Sequence, residues 1–302
     1  MKSYTRTIVL FGAFAAGFLC PQAAGLKFLI RYMIALMMFF SLLKLRPVRR
    51  PLRREHAVIF SANLLLGLGG WGVFALAGNR VLAETAFFTG ISPTATAAGI
   101  VTALLGGRQE FVISSFVLTN LGMALLLPGL IPLVTGLESS GIFLHVAADL
   151  AFVLGLPFLA ATLCRRYLPE KAPLIVRSGD ISFYLWGVTI FLIIANASNF
   201  LRTRAEGLKE AAAAALISLA LCVLGFTLGR CIGGRRRPLE CAQSLGQKNT
   251  TLTLFLAVVY ATPAAALGPA FYVVWPNSWN ALQLWKRTRR LEQRAAGRKD
   301  HV

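Results

Sequence analysis

Gln243-Ser244-Leu245-Gly246-Gln247-Lys248-Asn249-Thr250-Thr251 interrupts an otherwise apolar stretch, 239–261, with eight polar or glycine residues in nine. A lipid-facing helix cannot carry such a run, because each polar group in hydrocarbon needs a protein partner or a water-filled cavity. Lys248 makes the point most strongly. An ammonium in mid-span costs at least ~2.5–3.5 kcal/mol on the insertion scale. The interface lies about two turns away on either side, out of snorkelling reach. Lys248 is therefore read as a substrate counter-charge or a titrating group inside a helix bundle.

The rest of the chain provides the matching apolar setting. Of 302 residues, 56% are hydrophobic and 14% charged, with a mean hydropathy of +0.66, against about 25% charged in a soluble domain. So few polar residues do not cover a water-soluble surface, and the composition predicts an all-α integral membrane protein. The net charge of +19 does not mark a nucleic-acid partner. The basic residues sit between apolar runs and in a tail, as in loops facing anionic lipid, and not on one face of a compact domain. The five cysteines show no metal-ligand spacing and read as small buried hydrophobes.

A bilayer core takes about 20 residues of helix. Such runs lie near 7–23, 25–45, 57–78, 81–105, 111–136, 140–163, 179–199, 209–231, 239–261 and 262–285, which makes ten transmembrane helices. With the N-terminus inside, the Arg46–Arg54 loop is cytoplasmic. Of 31 lysines and arginines, only Lys27, Arg80, Arg202, Arg204 and Lys209 then fall in outer loops. The positive-inside rule thus predicts a multi-pass protein of the plasma (inner) membrane with both termini cytoplasmic. Five spans precede the turn at Thr135–Ser140 and five follow it. The halves, 1–136 and 137–285, enter the membrane from opposite sides and form two inverted five-helix repeats, followed by a basic cytoplasmic tail, 286–302. This inference rests on span counting.

The ninth span's counterpart is the fourth, and it is also interrupted: Thr89-Gly90-Ile91-Ser92-Pro93-Thr94-Ala95-Thr96-Ala97-Ala98-Gly99. Proline lacks an N–H, and the glycines and hydroxyls weaken the helix on both sides. Inverted-repeat transporters bind substrate and ions at such breaks, where freed backbone groups coordinate them. The plainer alternative for the fourth span is a helix pair joined by small polar residues. His145 and Asp149, four apart on the sixth span, read either as a polar relay lining the pathway or as a satisfied polar pair. The stretch Tyr272–Asn280 is expected to break the tenth span and to set Asn277 beside the ninth. No Gly-x4-Gly-Lys-Ser/Thr loop and no His-Glu-x-x-His motif occurs, and Asp149 reads as the single carboxylate deep in a span. Neither an ATP-driven pump nor an intramembrane metalloprotease or two-aspartate protease is expected, and no metal site and no catalytic residue is assigned.

Gly90-Ile91-Ser92-Pro93-Thr94-Ala95 with Leu104-Leu105-Gly106-Gly107, and Gly246-Gln247-Lys248-Asn249-Thr250-Thr251-Leu252 with Pro263 and Gly268-Pro269-Ala270-Phe271, resemble the bile acid:sodium symporter superfamily. The likeness in span number, broken helices and length covers nearly the whole chain. It implies a core domain and a panel domain that rock against each other, with an organic anion in the crevice beside the crossing of the broken helices. By motif position it assigns substrate contacts to Thr96, Asn249 and Asn277. It also implies sodium sites, but the matching positions depart from the family pattern. The Ser-Asn pair after the first break appears as Ala98-Gly99, two hydroxyls on the fifth span appear as Val112 and Phe116, and Glu and Gln around the second break appear as Ser244 and Lys248, with Gln247 beside them. Sodium wants oxygen ligands, and an ammonium in their place repels it.

The sequence therefore predicts a secondary transporter of an organic anion, bile-acid-like or another carboxylate or sulfonate. Alternating access moves the solute across the bilayer, no cofactor takes part, and Lys248 stands in the sodium sites. One rival is an ordinary sodium symporter drawing oxygens from backbone carbonyls and Gln247, Asn249 and Thr250. The other is a non-transport membrane enzyme or receptor with His145 and Asp149 as its working pair.

Overall fold

A computed structural model describes residues 3–44, 52–137, 141–171, 175, 180–202 and 207–299. Arg46, Arg49, Arg50, Arg177 and Arg204, used above to orient the chain, lie outside the described residues, as does the end of the Thr135–Ser140 turn. The described chain is helical, and its one isolated β-bridge joins Thr94 to Lys248. Each apolar stretch named above is helical over most of its length. Among the described residues, five helices are long and apolar enough to cross a membrane by themselves: Arg54–Leu76, Gln109–Thr135, the continuous Ile142–Tyr167, Ile181–Asn199 and Gly207–Gly233. The protein is therefore of an all-helical, membrane-embedded type.

In chain order the helices are α1 (Ser3–Leu19), α2 (Leu29–Lys44), α3 (Arg54–Leu76), α4 (Arg80–Gly90), α5 (Ala97–Leu104), α6 (Gln109–Thr135) and α7 (Ile142–Leu150). A π-helical turn, Ala151–Gly155, joins α7 to α8 (Leu156–Tyr167). There follow α9 (Asp180–Arg202), α10 (Gly207–Gly233), α11 (Pro238–Gly246), α12 (Thr250–Tyr260), a 3-10 turn at Pro263–Ala266, α13 (Leu267–Tyr272) and α14 (Val274–Lys299). Helices α1, α2, α8 and α9 pack chiefly on one another, while α3–α6 pack with α10–α13. Buried apolar side chains of both groups meet in one continuous core.

The breaks follow from local chemistry. The helix α4 starts where the Asn79 side chain accepts from the N–H of Leu82 at 3.0 Å, and stops at Gly90-Ile91 ahead of Pro93. Pro238 opens α11, where its missing N–H costs nothing, and Gly246 closes it. Close approach then fixes the crossings. A Cβ on Gly90 would lie 2.5 Å from the Leu66 carbonyl oxygen, and one on Gly229 would lie 2.5 Å from that of Cys241. Glycine thus lets α3 cross α4 and α10 cross α11 backbone to backbone, the small-residue packing of membrane helices.

The tenth apolar stretch is broken within Tyr272–Asn280, as expected, but at Val273: Pro276 has no N–H to bond the Tyr272 carbonyl, so it falls in the first turn of a new helix, α14. Further irregular backbone lies earlier, at Ala261–Ala266, and only Val273 separates α13 from α14. The helix α14 continues through residue 286 to Lys299, so no helix end marks the start of the basic tail.

Candidate functional site

The two breaks meet in the interior and pair as a miniature antiparallel ladder. The N–H of Ala95 donates to the Gln247 carbonyl at 2.8 Å, and the N–H of Asn249 donates to the Pro93 carbonyl at 2.6 Å. Side chains close the remaining valences. Thr94 Oγ1 donates to the Ser244 carbonyl at 2.6 Å, its N–H donates to Thr119 Oγ1 at 3.1 Å, and its carbonyl accepts from Asn120 Nδ2 at 3.0 Å. Ser92 Oγ and Thr253 Oγ1 are hydrogen-bonded at 2.5 Å. With these bonds, the crossing satisfies backbone groups that hydrocarbon would leave unpaired.

Lys248 runs from this crossing to the carboxyl end of α4. Its Nζ donates to Asn63 Oδ1 at 2.6 Å, to the Gly90 carbonyl at 2.7 Å and to the Ser92 carbonyl at 3.3 Å. The residue is only 6% exposed. An ammonium has three N–H donors, and all three are engaged. The last carbonyls of a helix carry about half a negative charge, so the cation sits where α4 is most negative. Coulomb attraction and three charge-assisted hydrogen bonds thus oppose its desolvation.

Beside the crossing lies a cavity of about 270 Å³ whose wall includes Thr96, Asn249, Asn277 and Lys248, with Met38 and Trp186 opposite. All four residues singled out for substrate contact thus face one space. Among the described residues, no carboxylate lines it. The amino-terminal turns of α5 and α12 open onto it through Ala97, Thr250 and Thr251, adding positive partial charge. The polar groups differ in what they have left to give. The Thr96 hydroxyl makes no capping bond. Asn277 donates to the Val273 carbonyl of its own helix at 2.7 Å, leaving its amide oxygen for the cavity. Asn249 Nδ2 reaches Asn120 Oδ1 at 3.3 Å. Lys248 contributes charge and no free N–H. A second cavity, about 330 Å³ and almost wholly apolar, adjoins through the shared Met38, with Asn120 as its one polar lining residue.

The remaining candidates scatter. Ala98, Val112 and Phe116 are buried, carry no side-chain oxygen, and pack in apolar clusters, as Phe116 does at the apolar cavity wall. Gly99 is buried in α5. Ser244 accepts through its carbonyl, while its hydroxyl and that of Ser115 are buried without a hydrogen-bond partner. Gln247 Nε2 donates to Gln243 Oε1 at 2.5 Å, and Gln243 in turn reaches Asn280 and Gln283. His145 and Asp149 are not joined to each other. His145 is exposed and bonds the Gly141 carbonyl one turn back, whereas Asp149 accepts from the Tyr260 hydroxyl at 2.7 Å and lies 3.6 Å from Arg31. The relay reading is corrected on that geometry: helical spacing sets both on one side, but only Asp149 finds partners inside the bundle.

Sequence reasoning also missed Glu84. It is fully buried, takes Arg80 Nε at 2.8 Å on one oxygen, and takes the N–H and hydroxyl of Thr262 at 2.9 Å each on the other. Asp149 is therefore not the sole interior carboxylate. Asn63, Thr119 and Asn120 were missed as well. A lone amide in the apolar run of α3 was the available signal, since an amide there costs several kcal/mol unless it finds a partner. No protein-family model matches the chain, and comparison with curated proteins finds no match.

Proposed function

We propose that the chain is a secondary transporter of an organic anion, with ten spans arranged as two inverted five-helix halves in the plasma (inner) membrane and both termini cytoplasmic. One observation carries this reading. Two interrupted helices cross in the interior beside a cavity that has polar groups, a buried lysine and helix amino-termini on its wall, and, among the described residues, no carboxylate. Helix amino-termini at a break favour anionic groups. The adjoining apolar cavity suits the non-polar remainder of an amphipathic solute. Alternating access would then move the α1–α2–α8–α9 group against the group that holds the crossing.

In this reading Lys248 replaces a coupling cation. It takes the Gly90 and Ser92 carbonyls and the Asn63 amide oxygen, which a hard cation would want for itself. At ~4 Å and an effective dielectric near 20, two positive charges repel by about 4 kcal/mol, close to a thousandfold in affinity. The donor set does not fit sodium at this point. The rival sodium symporter would draw on other backbone carbonyls and on Gln247, Asn249 and Thr250, and the hydroxyls of Ser115 and Ser244 are buried without a hydrogen-bond partner.

Uptake of labelled steroid-like and carboxylate anions into proteoliposomes tests the proposal. The expected result is flux of an unaltered solute at equal rates in sodium and in potassium at constant ionic strength. A saturable sodium requirement overturns the role given to Lys248, and chemical alteration of the solute without flux favours the enzyme reading. Single cysteines at Arg235 and Lys27 test sidedness, with Lys27 alone expected to react from outside intact cells.

A further inference from the structure

Three helices begin beside one small cavity, and each is preceded by an arginine. Arg53, Arg108 and Arg237 stand immediately before α3, α6 and α11. A guanidinium has no acceptor for the first-turn N–H groups. It also repels the positive end of the helix dipole. Nevertheless all three side chains, with Ser114, His56 and Glu110, line one cavity of about 30 Å³.

The site has a firm floor. The Phe111 ring stacks on His56 at 4.0 Å and lies under Arg237 at 5.4 Å. His56 Nδ1 accepts the N–H of Arg53 at 2.9 Å, which leaves Nε2–H to donate to the Phe111 carbonyl at 3.1 Å. Three carboxylates stand near. Glu55 pairs with Arg237 at 2.8 Å, Glu240 accepts the backbone N–H of Arg108 at 3.0 Å, and Glu110 is on the cavity wall. Neither Arg53 nor Arg108 forms a salt bridge among the described residues, and the Glu55 carboxylate, paired with Arg237, also feels the Arg53 charge. Arg54, Arg235 and Arg236 are exposed close by in sequence. With three helix amino-termini added, the balance is positive, and it falls where Leu52, Val58 and Leu104 expose apolar side chains.

We propose that Arg53, Arg108 and Arg237 form a binding site for a phosphate ester at the rim of the helix bundle. Guanidinium forks match phosphate oxygens bidentately, and basic pockets between membrane helices hold lipid phosphates. The cavity has room for little more than one water-sized group, so it admits the oxygen edge of a phosphate and leaves the rest of the molecule outside. The same chemistry serves a phospholipid headgroup, with chains on the apolar surface beside it, or a free phosphate.

The test uses the purified full chain in detergent and in vesicles of phosphatidylcholine with and without phosphatidic acid. Native mass spectrometry reads retained lipid, and thermal unfolding reads stabilisation. Phosphatidic acid should be retained and should stabilise the unmodified protein, whereas R53Q/R108Q should bind it about a hundredfold more weakly, as for two lost charge-assisted hydrogen-bonding groups. R108Q alone should show an intermediate loss, which keeps the test decisive if the double variant fails to fold. R235Q/R236Q, which removes neighbouring arginines that do not line the cavity, should bind normally. Inorganic phosphate in detergent separates the sources: stabilisation by phosphate with the same dependence on Arg53 and Arg108 supports the site with a free phosphate in it. Equal loss in R235Q/R236Q overturns the proposal, because the attraction is then diffuse. So does the absence of any effect of phosphatidic acid and of phosphate.

Discussion

The two breaks pair with each other, but they end differently. The carboxyl end of α4 is met by a full positive charge, with Lys248 Nζ on the Gly90 and Ser92 carbonyls. The carboxyl end of α11 is met by a neutral phenol, Tyr272, whose hydroxyl donates to the Gly246 carbonyl at 2.8 Å. The first break supplies acceptors and the second supplies the cation that satisfies them. Two interruptions can thus close on each other without an added ion, provided one carries a donor that satisfies the acceptors of the other.

The largest expected effect removes that donor. Lys248→Met should cost about 3–5 kcal/mol, since the Asn63 oxygen and two carbonyls lose their partner away from water. Thermal unfolding in detergent checks it, and a variant as stable as the parent would mean the first break needs no cation.

Backbone contact at the first break comes next. Gly90→Ala drives a methyl toward the Leu66 carbonyl and should cost about 1–3 kcal/mol. Gly69→Ala, where a Cβ meets nothing within 4 Å, should be neutral or slightly stabilising. Equal melting temperatures for the two variants would break the claim that close approach fixes this crossing.

Asn249→Ala probes the second break's face on the cavity. Substrate affinity should fall about tenfold, ~1.4 kcal/mol, in equilibrium binding, with the melting temperature little changed. Unchanged binding would move the solute away from this wall. Tyr272→Phe should have the smallest effect, about 1 kcal/mol in thermal unfolding, because a neutral hydrogen bond contributes less than one to a charge. If it matched Lys248→Met, the contrast between the two breaks would collapse.

Much of this was legible locally. Gly90-Ile91-Ser92-Pro93 announces a helix end through the missing proline N–H, and the run around Lys248 announces burial among polar partners because lipid cannot solvate it. Pro276 announces the break at Val273 in the same way, although the sequence places the new helix start only within a few residues. His145 and Asp149 misled: periodicity puts two residues on one face but does not say what that face meets.

By itself, then, the sequence determined the solvent of this protein, its helices, the positions of both breaks, and the necessity of a partner for Lys248. These are local consequences of desolvation cost and hydrogen-bonding capacity. The tertiary structure alone decided who the partners are. It set Asn63 and the end of α4 around an ammonium more than 150 residues away in the chain, and gave Asp149 to Tyr260 and Arg31. It buried Glu84 against Thr262, and gathered three arginines that precede separate helices at one cavity. Such choices follow from which backbones approach at glycine, and that is settled by packing across the whole bundle.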